Sequence, residues 1–318
     1  MIRGSTDLST DLSAASLVAV RACMGLSPGE RVLVITDEPL RSIGYALRVA
    51  ALNLGNVVLI VEILPGRSLG EEPPPEVGAI MGSFDVVLCP TSMSLTHTDA
   101  RRTASARGAR IATLPGVTEA MMARCMAADY GAVAARSLAL ARLMEETSVI
   151  RVTSPRGTDV QLPVRCRRAL ASTGLFHKKG QSGNLPTGEA FLAPLEGQSS
   201  GVVVVDGSMA GVGLVRTPIY ITIENGYATA IEGGTEAAHL RALLEPHGRN
   251  AYAVAEFGIG TNDRAMVTGV ILEDEKVMGT IHVAFGDNKS MGGSVRVASH
   301  LDGLVTQPSV WFDQRLIM

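Results

Sequence analysis

Arg31-Val32-Leu33-Val34-Ile35, a helical stretch over 43–54, and Val57-Val58-Leu59-Ile60-Val61-Glu62-Ile63-Leu64 follow one another early in the chain. Both apolar runs are strand-length and rich in β-branched residues, and Gly55 stands where the intervening helix must stop. The same order recurs, with strand-like runs over 84–89 and 110–114 and helical stretches over 76–81, 99–106 and 119–126. Gly55, Gly82 and Gly108 fall at helix ends, where a left-handed residue is expected. Strands alternating with helices predict a parallel sheet with helices on both faces. The long helical pattern over 132–146 is expected to close this first domain, placed at residues 1–147.

From residue 148 to 318 the pattern changes. Runs over 149–153 and 159–164 flank a Ser-Pro-Arg-Gly-Thr turn, and runs over 219–223 and 227–231 flank Glu224-Asn225-Gly226. Asn-Gly between two β-rich runs signals a tight hairpin, because both residues tolerate positive φ. One helix, over 236–244 with Thr235 as its expected N-cap, interrupts the strands. The expected fold class is therefore α/β: an N-terminal parallel-sheet α/β domain, followed by a sheet-rich α+β domain, the one in which a metal-binding site is expected from the donors described below.

Composition narrows the function classes. A chain of 318 residues with 46% hydrophobic residues, 34 glycines and a formal charge of -3 suits two packed domains and carries no basic surplus for nucleic acid or anionic membrane. The start, Met1 to Asp11, is polar, and no apolar run approaches the roughly 20 residues needed to cross a bilayer. These features predict a cytoplasmic protein with a small peptide or small-molecule substrate. Cys23, Cys89, Cys125 and Cys166 are scattered without CxxC spacing and are expected to be buried, reduced thiols. The acidic, proline-rich 70–75 segment is the one loop expected to be mobile. Gly258-Ile259-Gly260 lacks a third glycine and lies in the sheet-rich half, so no dinucleotide-binding residues are expected.

The second half does hold a set of metal-type donors. His300 and Asp302, two apart on a strand, project to the same side. His282 lies between Ile281 and Val283, so packing of those two residues would turn the imidazole to the opposite face. Glu189 and Glu256 sit beside small residues in segments poor in charge, where a carboxylate is expensive to desolvate unless it is paired or metal-bound. His177 and His97 are secondary candidates, the first upstream of Glu189 and the second near a strand end.

Four motifs in order, NLPTGE at 184–189, AEFGIG at 255–260, HVAFG at 282–286 and HLD at 300–302, resemble those of the M29 metallo-aminopeptidases, the aminopeptidase T and S group. The resemblance implies a two-ion site of Zn, Co or Mn held by Glu189, Glu256, His282, His300 and Asp302, with Glu189 or Asp302 bridging. It further implies a metal-activated water releasing N-terminal residues, Glu256 as proton shuttle, and a homodimer. Lys289 stands where that family carries a Tyr seven residues after the first His, a catalytic position from which a lysine could still donate to an oxyanion. The chain also resembles the 2,5-dihydroxypyridine dioxygenases, which are of the same fold. That resemblance implies a single Fe(II) on His282, His300 and Asp302, with Glu189 and Glu256 around it or touching substrate. A non-catalytic metal-binding relative is the third alternative. Hydrolysis is the leading expectation.

Overall fold

The computed structural model describes residues 9–68 and 70–318, so residues 1–8 of the polar start and Leu69 lie outside the described residues. The chain forms two compact units. One runs up to Gly131 and includes Gly174–Thr187; the other comprises Ala132–Thr173 and Gly188–Met318. This division differs from a boundary after residue 147 in two ways. The helix Tyr130–Glu145 belongs almost wholly to the second unit, where Ala141 and Met144 enter the core. Residues 174–187 return to the first unit, because the short strand Ser182–Asn184 pairs in parallel with Arg110–Thr113.

In the first unit the parallel sheet has, among the described residues, the order Val57–Ile63, Arg31–Asp37, Val86–Cys89, Arg110–Thr113, Ser182–Asn184. The strand Arg31–Asp37 is buried on both faces after its first residue, which is why its sequence reads as a continuous apolar run. Leu33 and Ile35 join Val87, Cys89 and Ile111 in one cluster, and Val32 and Val34 are buried on the other side. Gly55 and Gly108 adopt positive φ, +83° and +102°. Gly82 does not: it closes its helix at φ -73°, within the range of any residue. Carboxylate oxygens of Glu72, in the 70–75 segment, accept bonds from the backbone N–H groups of Asp99 and Ala100 at a helix start.

The second unit is a sandwich of two seven-stranded antiparallel sheets among the described residues. One contains the 149–153 and 159–163 strands and the 219–224/227–232 hairpin, whose turn residues Asn225 and Gly226 have φ +50° and +75°. The other contains Glu189–Leu192, Val254–Gly260, Ile281–Gly286 and His300–Val305, each paired with the next. Ile150, Val152, Val160 and Ile221 from the first sheet share one core cluster with Phe257, Ile259, Val283 and Phe285 from the second. The interrupting helix is Thr235–Leu244, and its N-cap is Gly234 rather than Thr235. The Thr235 hydroxyl instead donates to Glu236 Oε2 at 3.0 Å. Among the described residues no helix is long and apolar enough to cross a membrane. Cys23, Cys89 and Cys125 are buried and Cys166 is exposed, which corrects the expectation for the fourth thiol. Cys166 occupies a turn at φ +62°, outside either core.

Candidate metal centre

The site grows out of the period-two alternation of three adjacent strands. In Val254–Gly260 the side chains of Phe257 and Ile259 enter the sandwich core, so Glu256, Gly258 and Gly260 face the other way. In Ile281–Gly286 the core takes Ile281, Val283 and Phe285, leaving His282, Ala284 and Gly286 on that same outer face. The register places Glu256 opposite Ala284 and Ala284 opposite Asp302, with His282 opposite Gly258 and His300 opposite Gly286. Glu189 lies opposite Gly260. The small residues make room for the functional ones. A Cβ on Gly258 would lie 2.1 Å from His282 Nε2, so the imidazole occupies the space that any other side chain there would need.

All five expected donors therefore meet on one sheet face. His282 Nε2 lies 3.3 Å from Glu256 Oε1 and 3.6 Å from Glu189 Oε2. His300 Nε2 lies 3.2 Å from Glu256 Oε2 and 3.5 Å from Asp302 Oδ1. Donor atoms of Glu256, His300 and Asp302 lie within 4.8 Å of one another, and so do those of Glu189, His282 and Glu275, the last contributed from the end of the short helix Ile271–Asp274; both groups have the spacing to hold a metal ion. His282 is fully buried, whereas the His300 side chain is 31% exposed and forms the open rim. His300 Nδ1 stands 2.7 Å from the Asp287 carbonyl, which requires a proton on Nδ1 and leaves Nε2 to the carboxylates.

Electrostatics couples these groups. Burial opposes ionisation of Glu256, but its bonds to His282 and His300 outweigh that and hold its carboxyl well below the usual carboxylate range. Burial also opposes the charge on His282, yet Glu256, Glu189 and Asp302 push it up to about 9. His300 is raised in the same way, burial being outweighed by Asp302 and then Glu256.

The strand-following loop is braced from below. Glu196 Oε1 accepts from Ser294 N–H at 2.7 Å and Asn288 Nδ2 at 3.0 Å, and Glu196 also pairs with Arg167. Arg167 in turn donates to the Gly292 carbonyl at 2.9 Å. These bonds hold the segment whose Asp287 carbonyl orients His300.

Lys289 does not join the donors. It is exposed at the start of the short turn Lys289–Met291, its backbone N–H bonded to Asp287 Oδ1 at 3.2 Å, and among the described residues no side-chain contact ties it to the metal-type groups. His177 and His97 lie in the first unit and are exposed; a ring nitrogen of His177 stands 2.8 Å from the Ala22 carbonyl.

Two residues of the site were not anticipated. Lys276 is buried, and its Nζ lies 2.6 Å from Glu189 Oε1 and also pairs with Glu275. Glu275 is pushed up to about 8, first by burial, with Lys276 opposing. Glu273-Asp274-Glu275-Lys276 reads as a solvated charged run, but Glu273 and Asp274 are buried too. Their carboxylates accept from Met266, Thr268 and Gly269 backbone N–H groups. Nothing in the spacing of these four residues marks them as internal.

Comparison with known proteins separates the two resemblances. A family model described as NicX, 2,5-dihydroxypyridine 5,6-dioxygenase, matches residues 18–318. A 2,5-dihydroxypyridine 5,6-dioxygenase of Pseudomonas putida is 26% identical over 196 residues, covering 58% of this chain and 56% of that protein, a little over half its length. Among solved structures, a 2,5-dihydroxypyridine dioxygenase from Pseudomonas putida KT2440 superposes with TM-score 0.82 at 21% identity, covering 96% of this chain and 95% of the other. Wild-type AmpT from Thermus thermophilus superposes with TM-score 0.68 at 17% identity, covering 97% of each chain. At those identities both structures report the fold alone. The sequence matches overturn the expectation of a hydrolase, an aminopeptidase or a metalloprotease. The four motifs encode a donor set, and imidazole with carboxylate serves hydrolysis and oxygenation alike, so they could not choose between the reactions. The chain belongs to the NicX family of 2,5-dihydroxypyridine 5,6-dioxygenases.

Proposed function

We propose that this protein is a mononuclear Fe(II)-dependent dioxygenase that opens a small hydroxylated aromatic ring of the 2,5-dihydroxypyridine class. The observation that carries the proposal is the family match over residues 18–318, nearly the whole chain. The site supports it. Two imidazole Nε2 atoms and the Asp302 carboxylate lie on one sheet face, and the tautomer of His300 is set by the Asp287 carbonyl. A nitrogen and oxygen donor set of this kind fits a divalent first-row ion, and a two-His, one-carboxylate arrangement leaves positions open. His282, His300 and Asp302, which fall in two neighbouring donor groups with Glu256 between the rings, would hold the ion. When bound, ferrous iron supplies the redox chemistry that the side chains lack.

The remaining work falls to the protein's own groups. Glu256 bridges the two rings, its Oε1 3.3 Å from His282 Nε2 and its Oε2 3.2 Å from His300 Nε2, and presents a buried carboxylate to a substrate hydroxyl. Burial of His282 and Glu256 keeps bulk water from the inner side, and the exposed edge of His300 marks the side from which a ring can enter. The test is oxygen uptake by anaerobically Fe(II)-reconstituted protein given 2,5-dihydroxypyridine, followed with the loss of the ring's absorption. One O2 consumed per ring is expected. No uptake with that compound or with a panel of dihydroxypyridines and catechols refutes the proposal.

A further inference from the structure

The second donor group already contains a cation. Glu189, Glu275 and His282 bring ligand atoms within 4.8 Å of one another. Into this space Lys276 projects its ammonium, 2.6 Å from Glu189 Oε1 and paired with Glu275, with only 3% of its side chain exposed. Its backbone is fixed as firmly as its head group. Asn262 N–H donates to the Lys276 carbonyl at 2.9 Å, and Met278 N–H returns a bond to the Asn262 carbonyl at 3.1 Å. Gly260 makes this approach possible, since a Cβ there would lie 2.1 Å from the Val277 carbonyl oxygen. The strand that carries Glu256 therefore also dictates where Lys276 stands.

Charge then decides how many ions the face accepts. Glu189, Glu256 and Asp302 are buried close together with Glu275 half-buried beside them, and buried carboxylates persist in charged form only when matched by nearby positive charge. An ammonium bonded to both Glu189 and Glu275 supplies that charge on one side, and a divalent ion placed between the same two carboxylates would meet it at contact distance. Two like charges this close repel strongly in a region of low dielectric.

We infer that Lys276 is a resident counter-cation and positioning residue that fixes Glu189 and limits the centre to a single divalent ion. The inference rests on the metal-dependent reading above. It predicts that removing the ammonium, without any change to His282, His300 or Asp302, opens a second ion position between Glu189 and Glu275. A lysine with a merely structural role would alter stability but not ion count.

The test counts ions. Stripped wild-type protein and the Lys276→Met and Lys276→Ala variants are equilibrated with Mn(II), passed through a desalting column and assayed for manganese per chain. One ion is expected for wild type and two for each variant, with exchange-coupled Mn(II) pairs visible by electron paramagnetic resonance only in the variants. One ion in both variants overturns the inference and leaves the metal-dependent reading standing. If neither variant folds, titration of wild type to millimolar Mn(II) decides. Saturation at one ion supports the inference, and uptake of a second overturns it. Wild type that binds no ion removes the metal reading as well.

Discussion

Gly258→Ala tests the packing of the site at a residue that donates nothing to it. The new Cβ would lie 2.1 Å from His282 Nε2 and 2.2 Å from Cε1, where ordinary contact begins at 3.4 Å, so the ring must retreat by about 1.3 Å. It cannot retreat with its backbone, because Ile281 and Val283 on either side are fully buried in the sandwich core. The ring must turn instead, and turning breaks the 3.3 Å contact with Glu256 Oε1. Overpacking of this kind costs about 1–3 kcal/mol. Displacing a metal-orienting contact typically lowers metal affinity by roughly 10–100-fold. Urea denaturation of the metal-free protein and Mn(II) titration of wild type and variant measure the two effects separately. A folded variant with unchanged urea midpoint and unchanged Mn(II) affinity would show that the imidazole does not lie over Gly258 and would refute the reasoning.

Further outcomes follow from the same structure. Metal-free protein holds His282 protonated up to about 9, above the ordinary histidine value of 6.5. Its contribution to the stability of that form is therefore complete below pH 6.5 and lost as the pH rises through about 9. Over the same window the apparent Mn(II) affinity should rise, since the ion displaces the proton; an affinity independent of pH between 6.5 and 9 contradicts this. Glu196 is opposed by burial, but its bonds from Ser294, Asn288 and Arg167 take it down to about 2. Its stabilisation should be present above pH 4.5 and fade as the pH falls toward 2, and Glu196→Gln should flatten the urea midpoint over that range. With a thiol reagent, native protein should release one equivalent, from Cys166, and the other three cysteines should react only on unfolding.

Much of this architecture is legible in the chain because it rests on period. The 99–106 helix and the 149–153 strand have the limits that their side-chain patterns predict, and Asn225-Gly226 turns the hairpin it signals. The outward face of EFGIG and HVAFG is legible too, since Phe and Ile between the functional residues can only face a core. What escapes is set by distant contacts. Ser182–Asn184 is three residues long and carries a glycine, and only its partner Arg110–Thr113 makes it a strand. Lys276 reads as solvated because nothing local reveals that Gly260, sixteen positions earlier, leaves a slot for its backbone. The reaction is illegible for a different reason: one donor set supports two chemistries.

The alternation of core and donor residues along 256–260 and 281–286 has a consequence for how this protein tolerates change in length. A single-residue insertion or deletion between Glu256 and Gly260, or within 281–286, that no bulge absorbs would exchange the two faces, sending Glu256 or His282 toward the sandwich interior and Phe257 or Val283 outward. Such a register change disturbs the core and the donor set together; the irregularity that the first strand does carry lies between Val254 and Glu256, ahead of the outward-facing stretch. The 287–299 segment, which joins two of these strands and braces His300 from outside the sheet, carries no such penalty. Variation in length should therefore collect there, altering the rim where a ring would enter while leaving the donors in frame.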